Sequence, residues 1–289
     1  MTKNKNTLEH IIHGIFLLMG LVAVGCVLLI TVYLVISGIP AILEIGLIDF
    51  LFGKEWASTA TDPKYGIWAF ILTSIYGTAG AIVIGVPIGF MTAVYLSKIA
   101  SPKVKSMMQS AVSLLAGIPS VVYGLVGMLV LVPGIRKIFG VPDGASLLAA
   151  IIVLAIMILP SIIKMSITAL DAVPKEYEDA SLALGATPIE TYFKVSVPAA
   201  KSGIAAAVVL GVGRAIGEAM AVMMVAGNVP NMPDSIFQSV RFLTTAVSSE
   251  MAYSSGLQQQ ALFSIALVLF LFIMLINATL NFFLKRETE

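Results

Sequence analysis

Six long apolar runs dominate the chain, at about 11–36, 67–96, 107–132, 146–170, 203–226 and 261–284. A bilayer core about 30 Å thick needs about 20 apolar residues at 1.5 Å rise per residue, and every run reaches that length. The runs are apolar all round, without the 3.6-residue polar stripe of a surface helix. They predict an all-α polytopic membrane protein with six transmembrane helices, folded as a single transmembrane domain over 1–289. Composition agrees, because a chain with 58% hydrophobic and 11% charged residues could not cover a water-soluble surface. A soluble enzyme, a nucleic-acid binder and a disordered chain are thereby excluded, and a net charge of +1 points to no polyanionic partner. The single cysteine, Cys26, lies inside the first run and supplies neither a disulfide nor a Cys-based metal site. That run is too long for a signal-peptide core and is expected to be retained.

Lys and Arg placement predicts orientation. Ten of the 17 basic residues flank one set of segments, among them Lys98, Lys103, Lys105, Lys175, Lys194 and Lys201, and five flank the other: Lys54, Lys64, Arg136, Lys137 and Arg241. Both termini are therefore expected in the cytoplasm, with the segments near 37–66, 133–145 and 227–260 outside. Helix breakers stand at depth: Pro87, the Gly117-Ile118-Pro119 run and Pro160. Each alone fits a packing kink, but together they point to a path between helices, where protein or water satisfies the freed backbone. Gly203, Ala207 and Gly211, and more weakly Gly213 and Gly217, have the fourfold spacing that lets helices approach closely.

The segment 171–202 is polar yet densely patterned. Pro174 suits a first helical turn, and Glu176, Glu178 and Asp179 follow where carboxylates complement the helix dipole. Gly185 is a left-handed stop, Thr187-Pro188-Ile189-Glu190 is a capping box opening a second helix, and Pro198 ends it. A helix–glycine turn–helix is expected, able to lie on lipid or to enter the groove of a soluble partner.

Asp179-Ala180-Ser181, three residues, Gly185, nine residues and Val195-Ser196-Val197-Pro198 resemble the EAA loop of ABC importer permeases. The family pattern has Glu, Ala, Ile and Leu where this chain has Asp179, Ser181, Val195 and Val197; all four changes are mild. Leu115-Ala-Gly-Ile-Pro-Ser-Val-Val-Tyr-Gly124 and Gly213-Arg-Ala-Ile-Gly-Glu-Ala-Met-Ala-Val222 are similar to signatures of phosphate-specific permeases. Phe50-Leu-Phe-Gly-Lys-Glu-Trp56 looks more like the PstC-type subunit than its PstA-type sister. The resemblance implies an ABC permease fold in a bacterial inner membrane. It also implies a PstA-type sister permease, PstB-type ATP-binding subunits docking on the coupling loop, and a PstS-type extracytoplasmic phosphate-binding protein. The family's Arg and Glu in the second signature match Arg214 and Glu218, which makes them candidates for the substrate pathway.

Physical chemistry singles out the same pair. Only Lys164, Arg214 and Glu218 fall within the six runs. A central charge costs about 2.5–3.5 kcal/mol on insertion scales, so Arg214 and Glu218 must face protein or water. At i, i+4 on a continuous helix they are expected to reach each other. Such a pair either fixes helix packing alone or offers a guanidinium fork to phosphate oxygens, with Glu218 holding Arg214 until substrate arrives or repelling the anion to prevent trapping. Lys164 is expected to snorkel to the interface, and Asn228 to cap the carbonyls that end the fifth run. No Gly-x4-Gly-Lys-Ser/Thr stretch exists, so ATP and Mg would be bound by partner subunits and this chain needs no cofactor of its own. The expected function is translocation of phosphate by alternating access. A permease for molybdate or sulfate, a stand-alone secondary anion carrier and a membrane receptor are the alternatives.

Overall fold

The computed structural model describes the backbone of residues 2–286, and the side chains near both ends only in part. Helix α1 (Thr2–Ile45) is followed by the short α2 (Leu47–Phe52). A two-stranded antiparallel hairpin comes next, β1 (Trp56–Ala57) and β2 (Lys64–Tyr65), with Trp56 opposite Tyr65. Then come α3 (Trp68–Ile99), α4 (Pro102–Gly117), α5 (Ser120–Phe139) and α6 (Leu147–Asp171). Two short helices, α7 (Lys175–Ala183) and α8 (Pro188–Ala199), lead into α9 (Lys201–Gly217), α10 (Met220–Val225), α11 (Leu243–Glu250) and α12 (Gly256–Arg286).

Five helices, α1, α3, α5, α6 and α12, are each long and apolar enough to cross a membrane. Helices α8 and α9 pass the same test only together, and they meet at 71°. The sixth crossing is thus α9, prolonged by α10. Two spans expected to be continuous are broken. The run 107–132 divides at Ile118-Pro119 because proline has no N–H and forces the preceding residue out of the helical region. The run 203–226 divides at Glu218-Ala219, without any proline. Pro87 and Pro160, by contrast, stay inside unbroken α3 and α6.

Helix α6 is the hub. Lipid tails are as apolar as leucine, so helices associate in a bilayer through close packing rather than water exclusion. Gly85 and Gly89 of α3 lie so close to Ile158 and Ile162 that a Cβ there would stand 2.7 and 2.9 Å from those side chains. On the other flank, Gly211 of α9 touches Ile162 and Ala207 is fully buried, as the spacing of Gly203, Ala207 and Gly211 led one to expect. Gly213 and Gly217 face open space instead. Ile158 and Ile162, both fully buried, are therefore wedged between α3 and α9.

At the hairpin end, Phe50, Trp56, Ile67, Phe70, Leu243 and Leu262 form a second core. An Arg241–Glu250 ion pair closes it, and Glu250 also accepts from Trp56 Nε1 (3.3 Å) and Gln258 Nε2 (3.1 Å). Asn228 does not cap helix carbonyls with its side chain. It adopts a left-handed conformation (φ 55°), and its backbone carbonyl accepts two hydrogen bonds from Arg241, while its Oδ1 is buried without a partner. Among the described residues, helix α1 docks on α12 near its far end, where Ser264 Oγ donates to the Gly38 carbonyl. Its preceding apolar side chains are exposed, as suits a helix set against lipid or another subunit.

The α3–α6 contact yields a direct test. Gly85→Val overpacks Ile158 and should destabilise the protein by about 1–3 kcal/mol, read as a lower melting temperature in detergent. Gly213→Ala, with nothing within 4 Å, should leave that temperature unchanged or slightly raised.

Candidate functional site in the broken helices

The two interruptions lie together. Ile118 (φ −70°, ψ 127°) and Glu218 (φ −74°, ψ 127°) leave the helical region in the same way. Beyond the breaks, α5 and α10 run parallel and pack flush: Gly124 meets Ala221 and Met224, and Gly127 meets Val225. The breaks consequently sit within about one helical turn of the same height. Freed backbone groups at such depth are tolerated only where they are buried in protein or line a wet cavity. Tyr123 supplies part of the repair at the first break, its hydroxyl donating to the Leu115 carbonyl at 2.8 Å.

The second break separates the pair that the sequence places at i, i+4. Arg214 lies in the last turn of α9, where the helix dipole favours a cation. Glu218 lies past the helix end. Its Oε1 turns onward and accepts the Ala221 N–H of α10 at 3.1 Å, while its backbone carbonyl accepts from Thr244 Oγ1 at 2.8 Å. No ion pair joins Arg214 to Glu218, which corrects the expectation of a pair across one turn. The cause is the extended Glu218 backbone, which moves its side chain off the face that Arg214 shares.

Among the described residues Arg214 is left with one hydrogen bond, from NH1 to Ser161 Oγ of α6 at 3.3 Å. Tyr123 is within electrostatic reach. A guanidinium has five N–H donors in a rigid fork, so most of its capacity is unused. An arginine thus stands partly buried near the middle of the 201–225 crossing, with donors to spare and no carboxylate paired to it. Ser161, Tyr123 and Thr244 lie at this site and were not singled out in the sequence; the local signals were Pro160 beside Ser161 and the Leu115–Gly124 signature that contains Tyr123. A cavity of about 530 Å³ between α5 and α6 is lined by Val122, Val126, Val130, Ile138 and Ile156. It offers no charge and suits acyl chains or a neighbouring helix.

The helical loop is built as the residues dictate. Pro174 precedes α7, Gly185 turns left-handed (φ 88°), and Thr187 and Glu190 form both halves of the capping box. Pro198 falls in the last turn of α8, two residues before the 71° bend. Asp179 and Ala180 are exposed, and Ser181 Oγ lies 2.9 Å from Thr191 Oγ1, tying α7 to α8. Leu184 is 90% and Ile189 64% exposed, so the turn presents apolar side chains outward. Beneath it lies a tie that the sequence reading missed. Lys98, at the end of α3, pairs with Glu178 at 2.6 Å and donates to the Leu170 carbonyl of α6; Ser196 of α8 donates to the same carboxylate at 2.8 Å. Burial disfavours the Glu178 carboxylate, but Lys98, Ser196 and Lys175 outweigh it and hold its pKa below the usual range. One carboxylate thus links the loop to α3, and through Lys98 to α6.

With this geometry in view, comparison with known proteins is informative. Residues 85–287 match the family model described as "Binding-protein-dependent transport system inner membrane component". The chain belongs to that family: it is a multi-pass membrane permease subunit of an ABC-type importer, a class that works with an ATPase and an extracytoplasmic binding protein. It is 41% identical over 266 residues to a probable ABC transporter permease protein, YqgH, of Bacillus subtilis, covering 89% of this chain and 86% of the relative. It is 33% identical over 242 residues to the phosphate transport system permease protein PstC of Pasteurella multocida, covering 77% and 75%. Among solved structures, a chain of a bacterial alginate ABC transporter in complex with its periplasmic protein superposes with a TM-score of 0.62 at 16% identity, over 95% of this chain and 94% of that one.

The Lys98–Glu178 tie makes a prediction. Glu178→Gln should loosen α7 by about 1–3 kcal/mol, seen as faster amide exchange across 175–183 with the spans unaffected. The depressed carboxyl pKa sets the pH response: the contribution is complete above the ordinary glutamate value near 4.3 and is lost as pH falls through the lower folded value. Wild-type α7 should therefore loosen in acid, and the Gln variant should lack that transition.

Proposed function

We propose that this chain, as one transmembrane domain, is the PstC-type permease of an ATP-driven phosphate importer. The carrying observation is Arg214: a guanidinium near mid-membrane, held by a single serine, with its neighbouring carboxylate engaged elsewhere. A phosphate anion crossing a low-dielectric path needs a countercharge, and a guanidinium fork matches two of its oxygens at once. The phosphate named for the PstC relatives supports the choice of oxyanion.

In this reading Glu218 acts through its place in the break. Its carboxylate satisfies the first turn of α10 and adds a negative field about one turn beyond Arg214, so that phosphate is bound weakly enough to leave. The termini and the α7–α8 loop face the cytoplasm, as the basic residues indicate. Asp179, Ala180, Ser181, Gly185 and Pro198 belong to the surface that docks on the PstB-type ATPase, which binds ATP and Mg. The exposed Leu184 and Ile189 at the left-handed turn support an apolar anchor for that contact. A PstA-type sister completes the path, and a PstS-type binding protein delivers phosphate at the hairpin end. Rocking of the loop passes through Glu178 and Lys98 to α3 and α6, exposing Arg214 to each side in turn.

The test is uptake by the assembled complex in proteoliposomes. Arg214→Ala should leave assembly intact and lower uptake by at least about 100-fold, the loss of a charge-assisted bidentate contact. Glu218→Gln should change maximal rate and half-saturating phosphate together. Normal uptake by the Arg214 variant would end the site assignment, and competition by molybdate or sulfate at equal strength would shift the substrate.

A further inference from the structure

Helix α6 carries a polar face that its neighbours leave uncovered. Ser161, Lys164, Thr168 and Asp171 recur at intervals of three and four residues, so they share one side of the helix. Lys164, Thr168 and Asp171 are exposed and Ser161 half-buried, whereas Ile162 and Ile163, on the flanks turned to α9 and α4, are buried. A polar helix face inside a bilayer must meet water or protein rather than lipid. Its upper end is the serine that holds Arg214. Its lower end, Asp171, is already neutralised by Lys105 at 2.8 Å and bonded by Ser97 at 2.6 Å.

Between these ends stands Lys164, about 4.5 Å further along the axis than Ser161 at 1.5 Å per residue. It lines a cavity of about 300 Å³ with Gln109 and Ser113 of α4 and Thr168 of its own helix. Helix α4 turns a polar stripe to the same region, Ser106, Gln109, Ser110 and Ser113, which continues the lining toward the loop end. The volume is several times the ~30 Å³ share of one water, so it admits a partly hydrated ion. Lys164 makes no ion pair and donates no side-chain hydrogen bond among the described residues; Thr168 bonds only the backbone carbonyl of residue 164. Snorkelling alone does not explain why an unpaired ammonium faces an amide and hydroxyls on the opposite helix.

We infer that Lys164, with Gln109 and Ser113, forms a second, inner anion subsite that takes phosphate as it leaves Arg214. The inference rests on Arg214 as the mid-membrane site. A compact ammonium binds phosphate as a point charge without the bidentate grip of arginine, and so suits a brief stop. Arg214 of α9, bonded to Ser161, and Lys164, about one turn along α6 from that serine, let the anion pass from one cation to the next without being stripped of all partners.

The experiment uses the full complex in proteoliposomes, compared at equal amounts of assembled complex. Lys164→Gln should lower maximal uptake on the order of tenfold, the loss of one charge-assisted contact, with half-saturating phosphate at the binding-protein side unchanged; Lys164→Arg should keep most of the rate. In parallel, Lys164→Cys in a Cys26→Ala background should react with an anionic methanethiosulfonate from the loop side, and inorganic phosphate, but not chloride, should slow that reaction. Normal uptake by Lys164→Gln, or labelling of Lys164→Cys that phosphate leaves unchanged, would overturn the subsite. Inactive Arg214→Ala together with unprotected Lys164→Cys would remove the inner subsite and keep the mid-membrane one, whereas full activity of Arg214→Ala would remove both.

Discussion

A cation held near the middle of an apolar crossing, with no carboxylate beside it, is the constraint on which the rest of the structure depends. Its cost on insertion, about 2.5–3.5 kcal/mol for an unpartnered charge, is offset only by a local environment that is not hydrocarbon. The broken helix provides one. Ending α9 at Gly217 puts Arg214 in the last turn, where the carbonyl end of the helix dipole attracts it, and puts Glu218 where α10 begins and an anion is favoured. Each charge is stabilised by a helix end rather than by the other, so most of the guanidinium's donors stay unused.

The breaks in turn require the packing around them. A helix interrupted in a bilayer survives because neighbours satisfy its freed backbone groups, and here Tyr123 and Thr244 do so, while Ser161 of α6 bonds the Arg214 side chain. Helix α6 is held by the glycine contacts of α3 and α9 on Ile158 and Ile162, and α5 is held on α10 by Gly124 and Gly127. The same hub carries the loop end: Lys98 at the close of α3 binds both the Leu170 carbonyl of α6 and the Glu178 carboxylate. Movement of the loop has a short, stiff route to the helices that frame Arg214.

Much of this was legible in the amino-acid order because it depends on near neighbours. Four of the six apolar runs, the left-handed Gly185 and the Thr187–Glu190 capping box are local rules, and the structure follows them. The Gly117–Pro119 break could have been placed too, since proline acts on the residue before it. The break at Glu218 could not: no proline stands there, and it is held by Thr244, 26 residues away. For the same reason Arg214 and Glu218 were expected to share one helix face, and the extended Glu218 backbone separates them. Lys98 and Arg241 read only as orientation signals and Glu178 only as a first-turn carboxylate, because the Lys98–Glu178 and Arg241–Glu250 pairings are set by tertiary contact. Lys164 changes meaning once α4 is seen opposite it.

The most direct measurement is the structure of the assembled transporter trapped with arsenate, a heavier stand-in for phosphate, within the membrane. The account predicts arsenate density within hydrogen-bond distance of the Arg214 guanidinium, with Glu218 still on the first turn of α10. An Arg214–Glu218 ion pair in that state, with the oxyanion bound elsewhere, would contradict it.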